Sequence, residues 1–98
     1  MRIIAKRTLK EFWEKYQDSK DQLIEWHNIV AKAKWQNPNE IKSVFPSVDH
    51  VGNNRIVFNI CHNKYRLIAV FRYNIQMVYI RFIGTHKEYD KINNIKEI

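Results

Sequence analysis

The chain has 98 residues, 45% of them hydrophobic, with only two Gly and two Pro, which excludes a linker-rich, repetitive or low-complexity protein. One cysteine excludes an intrachain disulfide, and MRIIAKRTLK lacks the apolar run of a signal peptide, as the whole chain lacks that of a membrane span. Seventeen Lys and Arg against ten Asp and Glu give a net charge of +7, the electrostatic footprint of a nucleic-acid binder, which by itself specifies no chemistry. A single domain over residues 1–98, in the cytoplasm, is the expectation.

Taken in order, Arg2 to Ala5 reads as an edge strand or the lead-in to a helix. Thr8 and Glu11 have capping-box spacing, which predicts a helix start there, and Leu9, Phe12, Trp13 and Tyr16 form one apolar stripe. Asp18 and Ser19 interrupt it and cap a second helix, with Gln22 repeating the box. Leu23, Trp26, Val30 and Ala33 line its inner side, so the pair predicts a helical hairpin. Trp13, Trp26 and Trp35 are core at this spacing rather than a base-stacking platform. Pro38 in QNPNE ends the second helix, Ile41 to Phe45 forms a short turn, and HVGNN (His50 to Asn54) is a loop.

From Arg55 the period becomes two. A turn at His62 and Asn63 sets Ile60 against Tyr65, Phe58 against Leu67 and Ile56 against Ala69. A second turn over Tyr73 to Gln76 sets Phe71 against Val78, Ala69 against Ile80 and Leu67 against Phe82. The other face then carries Arg55, Arg66, Arg72, Tyr79 and Arg81 with Val57, Ile68, Val70 and Ile83, and no acid occurs between Asp49 and Glu88. In this register Arg66 and Arg81 are diagonal neighbours, an arrangement a bound phosphate would explain through paired, charge-assisted hydrogen bonds. The apolar members of the face need cover, from the C-terminal segment or a partner. Thr85 and Glu88 form another capping box, which makes His86 a first-turn residue of a terminal helix whether or not it does chemistry. No His, Cys or carboxylate cluster has metal-ligand spacing, and there is no glycine-rich phosphate loop, so neither metal nor cofactor is expected.

FPSVD (Phe45 to Asp49), VFNI (Val57 to Ile60), NKYRLIA (Asn63 to Ala69) and VYIRFIGTHKEYDKI (Val78 to Ile92) together resemble the HigB family of toxins, within the RelE superfamily. The resemblance implies an α+β fold, an N-terminal helical hairpin on a small antiparallel sheet. It also implies a metal-independent endoribonuclease that cuts messenger RNA on the translating ribosome. The partner it implies is a HigA-like helix-turn-helix antitoxin, with operator DNA reached only through the antitoxin complex. Carried over residue by residue, it makes Arg66 and Arg81 phosphate and transition-state clamps. His86 becomes acid or base, Tyr89 its hydrogen-bonding or stacking neighbour, and Lys64 a supporting cation. Beside these, Arg55, Arg72 and Tyr79 on the same face, and Lys87 close in sequence, are expected RNA contacts. The lysine-rich helical feature of some RelE-type toxins has no match here. The rival reading is a non-catalytic RNA- or ribosome-binding module, or a degenerate toxin kept as co-repressor.

Overall fold

A computed structural model describes residues 1–98. The fold is α+β: β1 (Arg2–Ile4), α1 (Lys6–Lys15), α2 (Lys20–Lys32), α3 (Pro38–Val44), β2 (Asp49–Gly52), β3 (Arg55–Ile60), β4 (Tyr65–Arg72), β5 (Met77–Thr85) and α4 (His86–Asp90). The sheet order is β1-β5-β4-β3-β2, antiparallel except where β1 runs parallel to β5. No helix is long and apolar enough to cross a membrane.

The helical hairpin packs on one sheet face because its stripe is where the apolar side chains are. Leu9, Phe12 and Trp13 of α1 and Leu23, Trp26 and Val30 of α2 are buried with Ile56, Phe58, Leu67, Phe71 and Val78 of the sheet. All three tryptophans are in this core, as their spacing predicted.

The helix ends differ from the expectation. The first helix starts at Lys6 behind Ala5, without a side-chain cap, because the chain leaves β1 at Ile4 and turns at once. Thr8 is therefore inside the helix, and Glu11 accepts from Arg7 at 2.9 Å instead. Ser19 does precede α2, but its hydroxyl donates back to the Tyr16 carbonyl at 2.6 Å, and Gln22 accepts from the Cys61 N–H at 2.7 Å. Pro38 opens a helix rather than ending one: α2 has stopped at Lys32, and Asn37 caps α3 by accepting from Glu40 N–H. Ile41 to Phe45, expected as a turn, is mostly that helix. HVGNN likewise is no loop, since its first residues belong to β2. Asn53 and Asn54, at φ 51° and 62°, make the two-residue hairpin turn for which asparagine's tolerance of left-handed backbone suits it.

The β3–β4 register is the predicted one, with Ile60 opposite Tyr65, Phe58 opposite Leu67 and Ile56 opposite Ala69. The β4–β5 register agrees at Phe71 with Val78 and at Ala69 with Ile80, then slips. Ile68 pairs with Phe82 and Leu67 with Ile83, so Arg81 is the extra residue of a β-bulge. The slip sends Ile83 to the helix-covered face and brings Phe82 to the other.

That other face is covered from within the chain. Val57, Ile68 and Val70 are 3%, 0% and 5% exposed although they lie outside the main core. The segment after β5 returns over them: α4 lies against β4 and β5, and the 3-10 turn Ile95–Glu97 lies against β2. Arg55 fastens it by donating to the Ile98 main-chain oxygen at 2.6 Å, and Asn53 by donating to the Lys96 carbonyl at 2.9 Å.

Candidate functional site

Three of the nominated residues converge where β4, β5 and α4 meet. The antiparallel ladder places Arg66 opposite Asn59 on one side and Gly84 on the other, so Phe82 is its diagonal neighbour on β5, while His86, the first residue of α4, lies two residues beyond Gly84 past the end of the strand. The slip at Arg81 thus replaces the expected Arg66–Arg81 diagonal with one between Arg66 and Phe82. His86 is tied to the sheet by its own N–H, which donates to the Lys64 carbonyl at 3.0 Å.

The capping box is present. Thr85 Oγ1 accepts from Glu88 N–H at 3.1 Å, and Glu88 Oε1 accepts from Thr85 N–H at 2.8 Å, which holds the Glu88 carboxyl below its usual range. The box fixes the main chain of the first turn, which carries His86, whose side chain is 47% exposed and whose Nδ1 lies 2.9 Å from Asp90 Oδ2. Cap and exposed imidazole coexist at this terminus.

Tyr89 is half-buried, with the Arg66 guanidinium 5.5 Å from its ring centroid and the Phe82 ring at 6.5 Å. Burial, and then the Asp49 carboxylate, push its hydroxyl up, so Tyr89 is a neutral donor at physiological pH. Arg66 also donates to the Asn63 carbonyl at 3.1 Å, which leaves guanidinium N–H groups for an anion.

Lys64 does not point into this group. Its ammonium bonds Asp18, which also accepts from the Tyr65 hydroxyl at 2.6 Å, so strand β4 is clasped to the turn between α1 and α2. That bond raises the Lys64 pKa and keeps it a cation, while Lys64 and then Tyr65 hold the Asp18 carboxyl below the ordinary range. Arg81 is exposed at the bulge, its guanidinium 5.8 Å from the ring centroid of Tyr79. Tyr79 and Arg55 both pair with Val70, and Arg72 pairs with Met77, so these residues share the face of Arg66 but lie farther along it. The Arg72 register is six residues from Arg66, roughly 20 Å along the strand. Of these, Arg55 is committed to the C-terminal segment, while Arg72 and Lys87 are exposed.

Phe82, Asp90 and Gly84 were not anticipated in this site. A register read without the bulge hides Phe82, and Asp90 meets His86 only through the i, i+4 geometry of a short helix. Gly84 is required because a Cβ there would sit 2.6 Å from Phe82 Cζ and 3.1 Å from Glu88 Oε1. Gly84→Ala is therefore expected to cost about 1–3 kcal/mol as the ring is displaced. In a denaturant double-mutant cycle, combining it with Phe82→Ala should recover most of that loss; strictly additive losses would mean that the ring is not what the glycine accommodates.

A family model described as HigB toxin, RelE-like toxic component of a toxin–antitoxin system, matches residues 19–92. The "mRNA interferase toxin HigB" of Escherichia coli K12 is 38% identical over 92 residues, covering 92% of this chain and 88% of that one. An "mRNA interferase HigB" from Shigella flexneri has the same identity and coverage, and one from Escherichia coli O6:H1 is 27% identical over 94 residues, covering 94% of this chain and 91% of its own. The matched span includes β4, β5 and α4, the elements that assemble the Arg66, Phe82, His86 and Tyr89 group. The chain belongs to the HigB toxin family, RelE-like toxic components of toxin–antitoxin systems, and has an antitoxin for its partner.

Proposed function

We propose that this toxin is an endoribonuclease that cuts messenger RNA on the translating ribosome, without a metal ion, by attack of a ribose 2′-hydroxyl on the adjacent phosphate. The observation that carries the reading is an exposed imidazole, His86, whose main-chain N–H is bonded to the Lys64 carbonyl, two residues along the chain from an arginine with free donors, Arg66. The relatives' name, mRNA interferase, supports it.

The reaction needs a base on the 2′-hydroxyl, an acid on the leaving 5′-oxygen and cations on the nonbridging oxygens. Histidine, with an ordinary pKa of about 6.5, serves either proton role, and His86 takes one of them. Arg66 neutralises the charge that develops on phosphorus oxygens, and Arg81 the next phosphate along. Tyr89 donates a hydrogen bond or stacks on a base. Lys64, held by Asp18, contributes positive field rather than a movable proton. Arg72, Tyr79 and Lys87 follow the RNA backbone, and Arg55 supports that face from beneath the C-terminal segment. The whole chain works as one cytoplasmic domain. Its antitoxin is a HigA-like helix-turn-helix protein, through which alone the pair reaches operator DNA.

The test is to map RNA 5′ ends in cells after brief induction. New 5′-hydroxyl ends inside translated messages, suppressed by co-expressed antitoxin, are the expected result. Growth arrest with no new ends would sink the nuclease reading and leave a binder that blocks translation.

A further inference from the structure

We propose that Asp90 is a positioning residue that fixes the ring orientation and tautomer of His86, and thereby makes the Nε2 atom of His86 the general base. The inference rests on the nuclease reading above and deepens it by assigning a direction to proton transfer.

The argument starts from the ring contacts. His86 Nδ1 is 2.9 Å from Asp90 Oδ2, one helical turn away. A carboxylate only accepts, so the proton of a neutral ring lies on Nδ1 and the lone pair on Nε2. The main chain on both sides of the ring is pinned, by the Thr85–Glu88 box before it and by the N–H of His86 on the Lys64 carbonyl. The side chain keeps rotation about its two bonds, and the contact with the carboxylate restricts both. The other charged groups near this turn are differently employed. Glu88 is bound in the cap, Lys64 bonds Asp18, and Arg66 lies over Tyr89 with one donor on Asn63. Lys87 is exposed on the same turn. Asp90 is thus the carboxylate that addresses the ring.

In the step this implies, Nε2 takes the proton of the 2′-hydroxyl as the 2′-oxygen bonds to phosphorus. The bond from phosphorus to the 5′-oxygen breaks, and that oxygen takes a proton from water. The products are a 2′,3′-cyclic phosphate and a 5′-hydroxyl, with the ring returning its proton to solvent. When the ring becomes imidazolium, the carboxylate faces a full charge, so the contact strengthens as the reaction proceeds.

Two readouts on the full-length toxin, freed of antitoxin, test this. Long-range proton–nitrogen NMR of the His86 ring, assigned by comparison with His86→Ala, should find the Nδ1–H tautomer in the wild-type chain and a shift towards Nε2–H in Asp90→Ala. Single-turnover cleavage of ribosome-bound message should slow roughly 10- to 100-fold in Asp90→Ala, with RNA affinity unchanged and partial rescue by Asp90→Glu. Asp90 is 57% exposed on its side chain, so the variants should fold, which thermal melts will verify. A wild-type ring in the Nε2–H form, or an Asp90→Ala variant that cleaves at the wild-type rate, overturns the proposal while leaving the nuclease reading intact. If the wild-type chain cleaves nothing yet its tautomer still follows Asp90, the nuclease reading fails and the positioning role stands.

Discussion

His86→Ala is expected to slow single-turnover cleavage of ribosome-bound message by roughly 10²- to 10⁴-fold, the usual contribution of a positioned proton carrier. Affinity for the same RNA should hardly move, because phosphate contacts set it and a single exposed ring adds little. The variant should also fold. The N–H of His86 still reaches the Lys64 carbonyl, the Thr85–Glu88 box is untouched, and loss of a half-exposed side chain costs at most about 0.5 kcal/mol. The other nominated groups cannot readily take over. Tyr89 has its hydroxyl pushed up by burial, and Lys64 is held as a cation by Asp18, so neither offers a base near neutral pH. A loss below tenfold would therefore remove His86 from proton transfer and leave Arg66, through electrostatic stabilisation, as the main source of rate.

Phe58→Ala is expected to cost about 3–5 kcal/mol, a large part of the roughly 5–15 kcal/mol that such a domain possesses. Phe58 is 1% exposed and sits at the centre of the aromatic core. Its ring meets Trp26 edge-on at 5.3 Å, Phe45 edge-on at 5.2 Å and Phe71 tilted at 6.0 Å. Truncation empties the place where α2, the loop after α3 and strands β3 and β4 meet. The cavity cannot close cheaply on the Phe71 side, because that ring is held by Trp35 at 6.1 Å and Tyr73 at 6.2 Å. Urea unfolding should show a lower midpoint at unchanged slope. A loss under about 1.5 kcal/mol would mean that Phe45, which is only partly buried, swings in to fill the space.

The parts of the fold that were legible in the sequence are those where only one register hides the apolar residues. Between β3 and β4 the inward row is Ile56, Phe58 and Ile60 against Tyr65, Leu67 and Ala69, and a slip of one would bury Asn59 or Arg66. Beyond Ile80 the pattern is ambiguous, because Phe82 and Ile83 are both apolar, and a bulge that swaps them leaves no trace in alternation. Strand β2 was invisible for another reason: DHVG is short, polar and at the sheet edge, where pairing rather than hydrophobicity defines a strand. The site followed the same division. Arg66 came from the hairpin register and the family resemblance, and the Thr85–Glu88 cap from local spacing. Phe82, Gly84 and Asp90 depend on the bulge, on a ring lying against a glycine and on one helical turn, none of which is local pattern.

The strand order has a consequence for how such a chain is made. β5 lies between β1 and β4, so the first strand to be synthesised has no sheet neighbour until the fifth arrives. Arg66 is likewise synthesised before the strand and helix that carry Phe82 and His86. A ribosome translating this message therefore holds a nascent chain whose sheet is still open beside β4 and without a partner for β1, and the last strand and α4 join it only after clearing the exit tunnel.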